Sequence, residues 1–514
     1  MARFNTKASK LINISDDIKG VRSSTKTINL AGGEAYKPSD KLELTLRTMG
    51  FLMSGDAYYA KEKDTSTAIS RLVRKISVYD PEFVLKLAVY ARNVMHLRTV
   101  SMYLLVEYAK TGVRNPGAYN YVPKILKRAD EPAEALSYYF QSSGSDKVPN
   151  MLKKGIAKTL NNFDEYQFGK YNRKGQVTLK DAVFISHPKP KDKAQQVLYD
   201  KIVNGTLDIP FTWETHISKN GASKKTWEEV IPEMGFMATL RNLKNFVKNN
   251  VDLTPVIAQL TNPEQVKKSQ QFPYRFFSAY KELTKDKNGY WEATDEEELT
   301  VPTKLLDAVN DAMTISVENV PRISGKTFIA SDNSGSMHSG KPSAKGAVTN
   351  IDVASLFSAI SLHVCKEAQV GVFGQTYATV PISKRGSILD NMDKIKKTDV
   401  GHSTNAWTAL AHLIDKNAIY DRIFLFSDMQ CYNSYERDGK GRDLNSYITQ
   451  YRKEINPNCR LYSFDVASYG LLKFPENDPL TCPIAGYSDS IFQFVPMFED
   501  GRETMVKKIE TFKI

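Results

Sequence analysis

Along the first part of the chain, apolar residues recur every three or four positions in one segment after another. In DPEFVLKLAVYARNV, Phe83, Val84, Leu87, Ala88, Ala91 and Val94 fall on a helical face behind Asp80 and Pro81, a pair suited to starting a helix. TVSMYLLVEYAK repeats the pattern after a break at HLR. Similar segments follow at KLELTLRTMGFLMSG, PAEALSYYFQ, KAQQVLYDKIV and MGFMATLRNLKNFVK. The connections are short, so consecutive helices are expected to pack as antiparallel pairs stacked into a solenoid. No fixed period links the segments, which favours irregular pairs over a regular array.

The pattern changes near Pro321. GKTFIASD, AQVGVFG, DRIFLFSD, CRLYSFDV and DSIFQFV are short β-branched or aromatic runs. Helical stretches separate them, among them DVASLFSAISLHVCKE, WTALAHLIDKN, LNSYITQYRKEI and GRETMVKKIETF. Strands alternating with helices predict a mostly parallel, doubly wound sheet. The acidic run DEEE at 295–298 is expected to cap or flank the last helix of the front part.

Composition adds little to this picture except through charge. With 514 residues, 41% apolar and 25% charged, the chain has room for two or three domains with real cores and is not a disordered protein. The opening MARFNTKASKLINISDDIKG has no apolar core of signal-peptide length, and no run of about 18 apolar residues occurs. A soluble, non-secreted, cytoplasmic protein is expected. Cys365, Cys431, Cys459 and Cys482 form no CxxC pair and read as structural thiols in a reducing compartment. Of the 70 Lys and Arg, 23 lie from Arg322 onward, with 21 of the 58 Asp and Glu, so the first 321 residues carry +10 and the rest +2. Attraction to a polyanion or simple solubility would each account for the basic front half.

SDNSGSMHSGKPS, at 331–343, offers two chemistries. G-S-M-H-S-G-K is one residue short of a phosphate-binding loop, but Pro342 stands where a Ser or Thr hydroxyl and its N–H are needed. The metal reading is stronger. Asp332, Ser334 and Ser336 follow the strand KTFIA, Thr404 lies in the loop GHSTNAWTAL, and Asp428 ends the strand RIFLF. In a doubly wound sheet such positions converge on one crevice. Two carboxylates and three hydroxyls form a hard oxygen set that suits Mg2+ or Mn2+. His338 and His402 flank it and read as bystanders.

From 322 to 514 this set resembles a von Willebrand factor A domain with its metal-ion-dependent adhesion site. His402 and Ser403 stand where a Gly pair is common, and Met429 where Gly often follows the Asp. LRTMGFLMSGDAYY, FGKYNRKGQVTLKDAVFISHPKPK, MGFMATLRNLKNF and VKKSQQFPYRFFSAY, followed by such a domain, resemble the TROVE module of the Ro autoantigen family. The resemblance divides the chain into an N-terminal arm at 1–29, a TROVE module at 30–321 and an A domain at 322–514. It implies a mainly α plus α/β architecture, an irregular HEAT-like helical-repeat ring closed by the doubly wound domain. It also implies a monomer that binds small noncoding Y RNA on the outside of the ring. Single-stranded 3′ ends of misfolded RNA pass through the hole, and an exoribonuclease is a working partner rather than an activity of the chain itself.

The resemblance places the family's outer-surface Y RNA residues, a lysine, a following basic residue and a histidine, at Lys170, at one or other of the neighbouring pair Arg173 and Lys174, and at His187. Basic residues in that stretch are interleaved with Tyr171 and Phe184, which suits phosphate contact and base stacking but would equally serve a solvated loop. Arg241, Lys244 and Lys248 stripe one helical face opposite Leu240, Leu243 and Val247. In a ring, that stripe is expected to face the hole. A metal-dependent protein adaptor without an RNA role is the alternative. A nuclease or phosphatase would need more clustered carboxylates than this pattern offers.

Overall fold

The computed structural model describes residues 25–28, 33–50, 62–172, 175–284, 300–341, 347–434, 441–467, 472–475, 478–486, 492, 494–499 and 505–514. The expectations that fall on most of the N-terminal arm, on Arg173 and Lys174, on the 295–298 run and on Pro342 lie outside them.

The front part is helical, as its periodicity predicts. Asp80 caps the helix Pro81–Asn93, its carboxylate accepting from the Phe83 N–H at 3.1 Å with Pro81 in the first turn. His96, at φ 57°, turns the chain into the next helix, Arg98–Lys110. These two helices pack face to face, and later ones are added in overlapping pairs. One polar cluster is built into this stack. Glu131 is 1% exposed and accepts from Arg92 (2.9 Å), Arg98 (2.7 Å) and the N–H groups of Lys127 and Arg128, so the buried carboxylate is fully paired.

Eight strands are described: β1 (Thr25–Ile28), β2 (Glu34–Lys37), β3 (Ile323–Asp332), β4 (Cys365–Phe373), β5 (Tyr377–Thr379), β6 (Arg422–Ser427), β7 (Arg460–Asp465) and β8 (Thr481–Ala485). β1 and β2 form a small antiparallel pair, and the other six form one sheet in the order β5-β4-β3-β6-β7-β8. All its pairings are parallel except β4 with β5. The helix Asn350–Val364 is buried at every residue but His363, because it lies between this sheet and the helical half.

One strand expectation needs correction. DSIFQFV was expected to be the last strand; instead Phe494–Glu499 is a helix, and Phe492, Val495 and Phe498 are buried at a spacing of three. The last parallel strand is TCPIA, β8, which was not expected, since Pro483 argues against a strand in sequence.

The helical half meets the α/β domain at both of its ends. At the front end, Tyr36 exchanges backbone hydrogen bonds with Leu472 (2.8 and 3.1 Å), and its hydroxyl donates to Asp443 Oδ2 at 3.1 Å. A Cβ on Gly33 would lie 2.1 Å from the Cys431 carbonyl oxygen, so only glycine fits there. Lys41 bridges Asp80 and Glu510, and Tyr90 meets Phe512 edge to face. At the far end, the helix Thr303–Ser316 packs on the helix Ile388–Lys397, and Lys281 pairs with Asp352 at 3.1 Å. Among the described residues, no helix is long and apolar enough to cross a membrane.

Candidate functional site

β3 and β6 are neighbours, yet β3 leads to β4 on one side while β6 leads to β7 on the other. Their carboxyl ends therefore mark the switch point where a crevice forms. Asp332 ends β3 and Asp428 follows β6, both 0% exposed. The Ser334 N–H donates to Asp332 Oδ1 at 2.9 Å, and the Ser334 and Ser336 hydroxyl oxygens are 3.4 Å apart. The Thr404 loop is tied to both others. Gly335 N–H donates to the His402 carbonyl at 3.0 Å, and Tyr432 N–H to the Thr404 carbonyl at 2.9 Å. The five sequence-predicted oxygen residues thus gather at one place.

Electrostatics there favour a cation. Burial, and then the facing Asp428, push the Asp332 carboxyl up to about 7. Burial also pushes Asp428 up, against the Gln430 N–H, the Ser336 hydroxyl beside it and Lys473, which favour its anion. Asp428 Oδ2 is buried with no hydrogen-bond partner among the described residues. Two buried carboxylates with an orphan oxygen and nearby hydroxyls fit a hard divalent ion, which would relieve the repulsion between them. Among the described residues no third Asp or Glu and no His or Cys completes a larger metal-binding cluster.

Three supporting residues were not read from the sequence. The Ser427 hydroxyl donates to Asp332 Oδ2 at 2.5 Å and accepts from the Met429 N–H at 3.0 Å. Asn333 uses its amide to cap the carbonyls of Ile395 and Thr398 (3.2 and 2.8 Å), fixing the loop after β3 to the end of a helix. Lys473, 3% exposed, donates to the Cys431 carbonyl at 2.7 Å. Met429 keeps the left-handed backbone, φ 60°, that a glycine would adopt freely, with its buried sulfur 3.2 Å from the Ser463 hydroxyl. His338 and His402 are exposed. All four cysteines are buried and form no disulfide among the described residues, and burial pushes the Cys431 thiol up to about 12, which keeps it protonated.

The basic residues form separate groups. Lys170 lies on the helix Glu165–Tyr171, its ammonium 5.7 Å from the Tyr171 ring centre. His187 is exposed at the left-handed end of the helix Leu179–Ser186. Among the described residues no hydrogen bond or ring contact joins the two. Arg241, Lys244 and Lys248 are all exposed along the helix Phe236–Lys248, while Leu240, Leu243, Phe246 and Val247 on its other face are buried.

Residues 41–208 and 199–323 match the TROVE domain, and 326–499 match the Ro60 vWA domain. The chain belongs to the Ro60 family. It is 22% identical over 449 residues to the RNA-binding protein RO60 of Deinococcus radiodurans, covering 76% of this chain and 82% of that protein. It is also 22% identical over 309 residues to telomerase protein component 1 of Mus musculus. That match covers 43% of this chain but only 12% of the mouse protein. The crystal structure of the Deinococcus radiodurans RO (RSR) protein superposes with a TM-score of 0.65 at 18% identity, over 90% of this chain and all of that one. This Ro60-family chain therefore shares the fold of that protein, many helices followed by a mostly parallel six-stranded sheet.

Proposed function

We propose that this chain is a non-catalytic RNA-binding ribonucleoprotein component used in RNA surveillance or processing, in a reducing cytoplasmic compartment. A small noncoding, Y-like RNA binds the outer surface at Lys170, Arg173, Lys174 and His187. The single-stranded 3′ end of a misfolded RNA binds at Arg241, Lys244 and Lys248, and an exoribonuclease acts on such RNA beside it. The observation that carries this reading is the helical stack meeting the A domain at both ends, in a chain whose basic excess lies in the stack. The similarity to the RNA-binding protein RO60 of Deinococcus radiodurans supports it.

Neutralising Lys170, Arg173, Lys174 and His187 should abolish binding of a small stem-loop RNA while a bare single-stranded 3′ tail stays bound. Neutralising Arg241, Lys244 and Lys248 should do the reverse, each lost phosphate contact flattening the salt slope by about 1. If both variant sets weaken both RNAs in proportion, the surface is one and the two-site reading fails.

The orphan Asp428 oxygen favours a second reading for the other half, metal-dependent docking of a protein partner. Asp332, Ser334, Ser336, Thr404 and Asp428 would hold Mg2+ or Mn2+. With so few protein carboxylates, the bound ion offers an open position to an acidic side chain of the partner.

A further inference from the structure

Lys180 and Phe184 lie one turn apart on one face of the helix Leu179–Ser186, His187 follows at its left-handed end, and all three are exposed. Phe184 is 51% exposed, and the Lys180 ammonium lies 5.9 Å from its ring centre. The opposite face, Leu179, Ala182, Val183 and Ser186, is buried against the helices Glu131–Ser143 and Asn150–Leu160. The helix is therefore anchored and the ring is held out on a fixed support. The Asp181 carboxylate is occupied in the capping box with Thr178, so the nearest acid is turned to the backbone. Lys189, Lys191 and Lys193 follow on the exposed stretch beyond His187.

We propose that Phe184 is a stacking platform for an unpaired RNA base, with Lys180 holding a flanking phosphate and His187 adding a hydrogen-bond donor. This rests on the RNA-binding reading above and names residues that do the work of recognition within it. A lone exposed ring would carry no such meaning, since isolated apolar side chains are common on surfaces. What separates Phe184 is its setting. Tyr171, the other ring of the basic stretch, is half-buried and already covered by the Arg128 guanidinium at 4.4 Å. Phe211, 62% exposed, stands near Asp208 and Glu214 in sequence, and its ring leans on His216, which pairs with Glu229. A phosphate backbone would meet acids there and cations at Phe184. Because a duplex keeps its bases stacked inside, a platform of this kind selects loops, bulges and ends over paired RNA.

The test is filter binding of the full chain to a small stem-loop RNA with unpaired loop bases and to a blunt duplex of the same length, across salt concentrations. Phe184→Ala should weaken stem-loop binding about five- to a hundredfold with the salt slope unchanged, because a base contact and no phosphate contact is lost. Phe184→Trp should restore it, and duplex binding should not change. Lys180→Ala should flatten the stem-loop salt slope by about 1. Equal stem-loop binding by the parent chain and Phe184→Ala overturns the platform while leaving RNA binding intact. So does a loss of duplex binding as large as that of the stem-loop, or no recovery in Phe184→Trp. Competition by polyglutamate as effective as by RNA would assign the face to an acidic peptide instead. Failure of the parent chain to bind either RNA overturns the RNA reading itself.

Discussion

At the scale of single residues, the sharpest feature is the meeting of Asp332 and Asp428, two fully buried carboxylates from different strands. Without a cation they repel, so a metal that binds only the folded state should raise its stability. The melting temperature of the parent chain is expected to rise with Mg2+ or Mn2+. Asp332→Ala and Asp428→Ala should lose both that rise and calorimetric metal binding, yet still bind RNA. Unchanged metal affinity in both variants would rule out the site. The clustering of the five oxygen residues of the site was legible because the carboxyl ends of neighbouring strands in a doubly wound sheet converge on one crevice at the switch point. Ser427, Asn333 and Lys473 were not, because each acts through a contact between segments distant in sequence. Met429 shows the limit from the other side, a departure from the usual glycine that leaves the left-handed turn in place.

At the scale of elements, the helices were read well because their apolar spacing is imposed by one-sided burial, and the buried strands because they are β-branched and aromatic. The misreading of DSIFQFV has a plain cause. Its apolar residues fit both alternation and a spacing of three, and only packing decides between them. Polar design inside the stack was invisible to periodicity. Glu131 is the case to test, since its removal strands the Arg92 guanidinium, 13% exposed, without its carboxylate. Glu131→Ala is expected to cost about 3–5 kcal/mol in denaturant unfolding. A change within about 0.5 kcal/mol would show that the cluster is not cohesive.

At the scale of the whole molecule, two clasps join the helical half to the A domain, one at Tyr36, Gly33 and Lys41 and the other at Asp352. Burial pushes the Asp352 carboxyl up, but Lys396 and Lys281 outweigh it and hold the group below its ordinary value of 3.8. A depressed folded-state value stabilises the native state above the unfolded value, and that contribution fades as pH falls through the folded one. The clasp should thus be at full strength at neutral pH and weaken only below about pH 4. Asp352→Asn should lower stability at pH 7 by about 1–2 kcal/mol, since both lysines can regain water, and should remove that part of the acid dependence. An identical acid profile for the variant and the parent chain would show that Asp352 contributes nothing to it.

The two clasps leave the basic helical faces as the surface on which the functional account depends. A filter-binding titration of the intact chain with a structured RNA carrying a single-stranded 3′ end, repeated from low to high salt, measures that most directly. The account predicts tight binding at low salt that falls steeply and linearly on logarithmic axes, as several neutralised phosphates require. Negligible binding at every salt concentration, or binding that salt leaves unchanged, would contradict it.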